Sequence, residues 1–137
     1  MIKVYIAGSY NGRERIATEA YWLAGHFKDF DVLSKWFYDE FFLEKAWDCD
    51  FSGDVAKTMA HLDFNQILQA DLFILDTIDK SSTGGSDTEL GIALCREYER
   101  KIHCIHIGPY RNIFQTLVRE HYNTWNEFFA YLERTKQ

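Results

Sequence analysis

Glu89 follows a glycine pair, Gly84-Gly85, which itself follows the apolar run Leu72-Phe73-Ile74-Leu75-Asp76. Strand, glycine loop and helix in that order place the carboxylate in the first turn of a helix at the carboxyl end of a strand. Open α/β sheets bind their ligands there. A glycine-rich loop that opens a helix presents bare N–H groups suited to phosphate. A glutamate beside it can meet a bound sugar or phosphate ester. Two readings stand for Glu89. Ser86-x-x-Glu89 is a capping-box pattern, in which the glutamate only ties down the helix start. Gly84 and Gly85 also allow a ligand to approach the backbone closely, in which case Glu89 is a reacting group.

Asp63 is the second carboxylate. On a helix from Asp54 to Gln69, at about 100° per residue, Val55, Met59, Leu62, Ile67 and Ala70 define an apolar side with Asp63 near its middle. A carboxylate facing a core is costly unless paired or hydrogen-bonded. It is either a satisfied structural aspartate holding a loop, or it points into a cleft, where a raised pKa suits a proton donor. Tyr5 lies on the first strand and reads alone as a core aromatic. Arg13, behind Gly12, holds an anion or begins a helix. Ser9, behind Gly8, donates to a phosphate or closes a turn. Asp76 and Asp79 sit at a strand end, placed to hold a sugar hydroxyl or a base, or simply solvated. Trp36, at a strand end, is a candidate pocket wall. His103 and His106 have a metal-like spacing, but i and i+3 on a strand point to opposite faces, so no metal is expected there.

These residues need a frame. Lys3 to Ala7 reads as a strand, Gly8 to Arg13 as a loop, and about Glu14 to Phe27 as a helix with Ala17, Ala20, Tyr21, Ala24 and Phe27 on its apolar face. Val32 to Tyr38 reads as a second strand. Asp54 caps the helix to Gln69, followed by strand Asp71–Asp76, helix Asp87–Arg100 and strand Lys101–Ile107. Thr124-Trp125-Asn126-Glu127 is a capping box for a last helix. The aromatic, acidic stretch from Asp39 to Gly53 has no clear period and reads as a lid or an oligomer contact. Alternating strands and helices imply a mostly parallel sheet of four to five strands with helices on both faces.

The bulk composition narrows the function. The chain of 137 residues fits one domain, residues 1–137, and 47% apolar content supplies a core. A net charge of −6 argues against a polymeric nucleic acid or an anionic membrane as partner. No apolar run reaches membrane-spanning length. Three cysteines without CxxC spacing exclude a disulfide framework and a zinc ribbon. A cytoplasmic setting is expected.

Lys3-Val4-Tyr5-Ile6-Ala7-Gly8-Ser9 with Arg13, Asp63 with Ala70-Asp71, and Gly84-Gly85 with Glu89-Leu90-Gly91-Ile92-Ala93 together resemble the nucleoside 2-deoxyribosyltransferase superfamily. That group includes the 2'-deoxynucleoside 5'-monophosphate N-glycosidases. The ordered set covers roughly residues 2 to 108. The resemblance implies a flavodoxin-like or Rossmann-like three-layer α/β sandwich and a dimer or larger homo-oligomer. It implies Glu89 as nucleophile on the anomeric carbon, Asp63 assisting the leaving base or holding the sugar, and Tyr5 orienting the glutamate. It implies Gly8, Ser9, Gly12, Arg13, Asp76, Thr83, Gly84 and Gly85 in sugar and phosphate recognition. Transferases tend to carry an acidic residue where this chain has Thr83, six places before Glu89, and monophosphate hydrolases a serine, so Thr83 leans towards a phosphate-accepting site.

The expected activity is cleavage of an N-glycosidic bond in a small-molecule nucleoside or nucleotide, by hydrolysis or by transfer to another base, with no cofactor and no metal. Two alternatives remain open at this point: a non-catalytic nucleotide-binding module, and a glycohydrolase acting on a dinucleotide such as NAD.

Overall fold

The computed structural model describes residues 1–38, 54–80 and 84–136. Five strands, β1 (Ile2–Gly8), β2 (Phe30–Val32), β3 (Leu72–Asp76), β4 (His103–Ile107) and β5 (Glu120–Tyr122), form one sheet in the order β2-β1-β3-β4-β5. Every neighbouring pair is parallel. The helices are α1 (Arg13–His26), α2 (Asp54–Gln69), α3 (Gly85–Tyr98) and α4 (Trp125–Thr135). This is the α/β three-layer arrangement expected, with all strands parallel. β3 is buried along its whole length, as a central strand covered on both faces must be.

Register fixes which side chains share a face. Tyr5 pairs with Phe73 and Phe73 with Cys104, so these three project to one side. Alternation sends Ile6, Ile74 and Ile105 to the other. Tyr5's side carries α2 and α3. The opposite side carries α1 and α4, which meet where the Trp22 and Phe129 rings lie 4.2 Å apart. Strand order reverses between β1 and β3, so a crevice opens at their carboxyl ends.

Three expectations change. The second strand ends at Val32 rather than running to Tyr38. Beyond it, side chains replace the ladder. Ile6 N–H donates to Ser34 Oγ (3.0 Å), and Trp36 Nε1 donates to the Ile6 carbonyl (2.6 Å). On α1 the buried face is Ile16, Ala20 and Leu23, while Tyr21 is 78% exposed and Ala24 lies on the surface. Both sets satisfy the helical period, and the longer aliphatic chains win the sheet contact. α3 begins at Gly85, two residues earlier than expected. The Asp39–Gly53 stretch and the side chains of Asp54 and Val55 lie outside the described residues.

Candidate active site

A cavity of about 590 Å³ opens where β1 and β3 diverge. Gly8, the last residue of β1, and Tyr10 line it from the first loop, and Trp36 from beyond β2. Gly85, Ser86, Thr88, Glu89 and Ile92 line it from α3, and Met59, Ala60, Asp63, Phe64 and Ile67 from α2.

Tyr5 projects from the middle of β1 and is fully buried. Its ring stacks on Phe73, centroids 5.9 Å apart, which fixes the direction of its hydroxyl. That hydroxyl donates to Glu89 Oε2. Glu89 is therefore not a helix cap. Gly84 is the N-cap, left-handed at φ 76°, and no side chain caps α3. The left-handed turn needs glycine and starts the helix early enough to carry Glu89 into the second turn, facing the sheet. Burial raises the Glu89 pKa from 4.5 to about 8. Tyr5's hydrogen bond opposes the rise and the nearby Asp63 charge adds to it. Tyr5 is itself pushed well up, first by burial and then by Glu89 and Asp63.

Asp63 projects from α2 into the same cavity, half-buried. Among the described residues nothing donates a hydrogen bond to it, so it holds none of the described loops. Desolvation raises its pKa to about 6. Its place on an apolar helix side follows from the cavity. That side of α2 faces a void rather than packed core, and Phe64, which lines the same void, stays 42% exposed. Two carboxylates, both with the neutral form favoured and one taking a phenol hydrogen bond, share a largely apolar chamber. Such a pair can supply one nucleophile and one proton.

The other expected residues divide. Gly8 and Gly85 line the cavity. Ser9 does not: its hydroxyl is buried, donating to the Lys80 carbonyl at 3.1 Å and accepting from Asn11 N at 3.3 Å. Gly12 is buried against Asp79, whose carboxylate occupies the space a side chain there would need. Arg13 stands behind Tyr10, its guanidinium 4.2 Å from that ring's centre. Gly84 is exposed and acts as the cap.

Asp76, an expected substrate-binding residue, does not line the cavity that holds Glu89. Its parity places its side chain on the α1–α4 face, away from Glu89. There both oxygens pair with Arg15 (2.8 and 2.9 Å), while Trp125 Nε1 (2.7 Å) and Ile78 N (3.0 Å) also donate. Its side chain is fully buried. Thr83 lies outside the described residues. His103 is on the surface beside Glu120 at 2.9 Å, and His106 is buried against Thr77 at 2.7 Å. Among the described residues no three histidines, cysteines or acids come together to hold a metal. No described helix is long and apolar enough to cross a membrane.

Sequence reasoning passed over Lys57, His61 and Phe64, which line the cavity from α2. They lie at least about 100° round the helical wheel from Asp63, so the apolar side that singled out Asp63 does not include them. Arg15, which anchors Asp76, carries no readable mark.

No protein-family model matches the sequence, and no curated protein matches it significantly. Among solved structures, the CMP N-glycosidase BcmB of Clostridium botulinum superposes with a TM-score of 0.59, at 22% identity, over 96% of this chain and 98% of that one. The chain has the fold of that N-glycosidase. At such identity the likeness speaks for the fold, and it agrees with the architecture implied by the sequence resemblance.

Proposed function

We propose that the protein cleaves the N-glycosidic bond of a nucleoside 5'-monophosphate or a related (deoxy)nucleoside, with Glu89 as nucleophile. The observation that carries this reading is the Tyr5–Glu89 hydrogen bond inside a cavity that Asp63 shares. A capping glutamate would need no buried phenol and no second carboxylate facing it. The fold it shares with a CMP N-glycosidase supports a nucleotide substrate, and the resemblance to the nucleoside 2-deoxyribosyltransferase superfamily supports the same chemistry.

In this reading a Glu89 oxygen attacks C1', forming a glycosyl ester as the C1'–N bond breaks. The bond's electrons go to the base, whose nitrogen takes the proton of Asp63. Water then attacks C1', giving its proton to the Asp63 carboxylate as the bond from C1' to the Glu89 oxygen breaks, which releases the sugar and restores both acids; a second base can attack C1' in place of the water. Tyr5 holds Glu89 by one oxygen and leaves the other to react. The chamber walls, Tyr10, Trp36, Met59, Phe64 and Ile92, supply apolar surface for a flat base. We further propose that the protein self-associates, as the sequence resemblance implies, a state that sedimentation would measure.

The test is chromatographic. The protein is incubated with nucleosides, 2'-deoxynucleosides, their 5'-monophosphates and NAD, with and without a free base, beside Glu89→Gln. Release of base that disappears in the variant is expected. Thermal stabilisation by nucleotides without any release would instead favour the binding module, and nicotinamide release alone would favour the dinucleotide glycohydrolase.

A further inference from the structure

The cavity has an acid side and, round α2 from it, a basic one. Lys57, His61 and Phe64 are spaced i, i+4, i+7, so they form one stripe along α2. All three line the cavity. The stripe stands about 100–160° round the helix from Asp63, and Lys57 lies about 9 Å from Asp63 along the axis, at about 1.5 Å per residue. Lys57 and His61 are exposed, and neither has a hydrogen-bond or ion-pair partner among the described residues. The fold gives this lysine nothing to hold, yet it stands on the wall of a largely apolar cavity.

A substrate phosphate has few other places to go. Beside Glu89 it would oppose the ionisation that the reaction needs, and beside Asp63 it would meet a second acid. Arg15 is held by Asp76 and Asp79, and Arg111 donates to the Thr77 and Ile78 carbonyls. Neither arginine lines the cavity. Ser9, the expected phosphate donor, gives its hydroxyl hydrogen to the Lys80 carbonyl. Among the described residues that line the cavity, Lys57 is the only lysine or arginine. We propose that Lys57, with His61 one turn on, forms a phosphate subsite in this cavity and takes the 5'-phosphate of the substrate; this rests on the glycosidase reading above. Cβ atoms four residues apart on a helix are about 5–6 Å from each other, a spacing that the oxygens of one phosphate bridge between an ammonium and an imidazole. Lysine binds such a group as a point charge. The nucleotide is then oriented from both ends, with its phosphate on the α2 stripe, its base against the apolar walls, and C1' between them at Glu89. A nucleoside lacks the first of these contacts.

The test compares each nucleotide with its own nucleoside: CMP with cytidine, and the four 2'-deoxynucleoside 5'-monophosphates with their 2'-deoxynucleosides. The readout is the ratio of kcat/KM for the phosphorylated member over the unphosphorylated one. Lys57→Met is expected to lower that ratio about tenfold and His61→Ala about threefold, while Lys57→Arg keeps it within about threefold of the wild type. Lys57 is exposed, so Lys57→Met should keep its Tm within about 2 °C of the wild type. An unchanged ratio in Lys57→Met overturns the proposal, and an unchanged ratio in His61→Ala removes His61 from it. A loss of kcat/KM in Lys57→Met that is equal for nucleoside and nucleotide also overturns it, because Lys57 would then act on the cavity as a whole. Equal wild-type kcat/KM within every pair overturns the phosphate subsite and leaves the glycosidase reading standing. If the wild type binds the nucleotides without releasing base, the glycosidase reading falls, and the same ratio taken from Kd by calorimetry decides the subsite. If it neither cleaves nor binds them, both fall.

Discussion

Tyr5→Phe removes a single hydroxyl, and its effect can be worked through. The ring stays buried and stacked on Phe73, so the packing is kept. The hydrogen bond to Glu89 is lost. Asp63 with a pKa near 6 and Glu89 near 8 hold one proton between them across that interval. The reacting form has it on Asp63, the reverse of the favoured placement. A gap of about two units leaves about 1% of singly protonated molecules in that form. The profile of kcat/KM against pH is then a bell with limbs near 6 and 8. A hydrogen bond to a charged group contributes about 1.5–3 kcal/mol. At about 1.4 kcal/mol per unit, its loss raises the Glu89 pKa by about 1–2 units. The alkaline limb should move to about 9–10, and kcat/KM at pH 7 should fall about 10–100-fold. Base release, measured at steady state from about pH 5 to 10.5, reads both. A limb that stays in place, with kcat/KM within about twofold of wild type, would refute the coupling of Tyr5 to an ionised Glu89.

Three further outcomes follow from named contacts. Glu89→Gln should stabilise the protein at alkaline pH. A folded-state pKa of about 8 against an ordinary 4.5 means that the folded form binds more protons between those values, so stability falls as pH rises through them. The gain above pH 8 is at most about 5 kcal/mol, and near pH 4.5 it should vanish; parallel curves of Tm against pH for the two proteins would contradict this. Asp63→Asn should remove the alkaline limb, leaving a single rise through a Glu89 pKa lowered by loss of the neighbouring charge, and a retained bell would give the proton donor another identity. Gly108→Ala should cost about 1–3 kcal/mol, because φ is +116° and a Cβ there would come within 2.7 Å of Thr77 Oγ1 and 2.9 Å of Ile78 N; thermal or urea unfolding measures it.

The fold was legible where one physical signal dominates. Leu72–Asp76 has no competing period, and it became the buried central strand. The stretch after Val32 was misread because its apolar residues looked like more strand. Ser34 and Trp36 instead bond to Ile6 through their side chains, and composition does not distinguish a ladder from its imitation. β5 was not singled out because Glu120-His121-Tyr122 is short and polar. It pairs through backbone with β4, and backbone pairing leaves little trace in a sequence.

For the site, the limit lies in direction rather than identity. Asp76 and Glu89 are both acids near the carboxyl end of β3, and the sequence offered both. Strand alternation separates them, and it does so through a register that no single segment contains. Gly8 pairs with Asp76, and Tyr5 pairs with Phe73, so Asp76 turns towards α1 while Tyr5 turns towards α3. Glu89 reaches Tyr5 because Gly84 starts the helix early, and a start two residues later would have made the capping box from Ser86. The left-handed turn at Gly84 therefore decides whether this glutamate ties down a helix or lines a cavity, partly buried, with its pKa near 8. A partly buried carboxylate that lowers stability at the pH where it is ionised is poorly explained as scaffolding. It is readily explained as a group whose ionised form is needed only briefly, against a bound sugar.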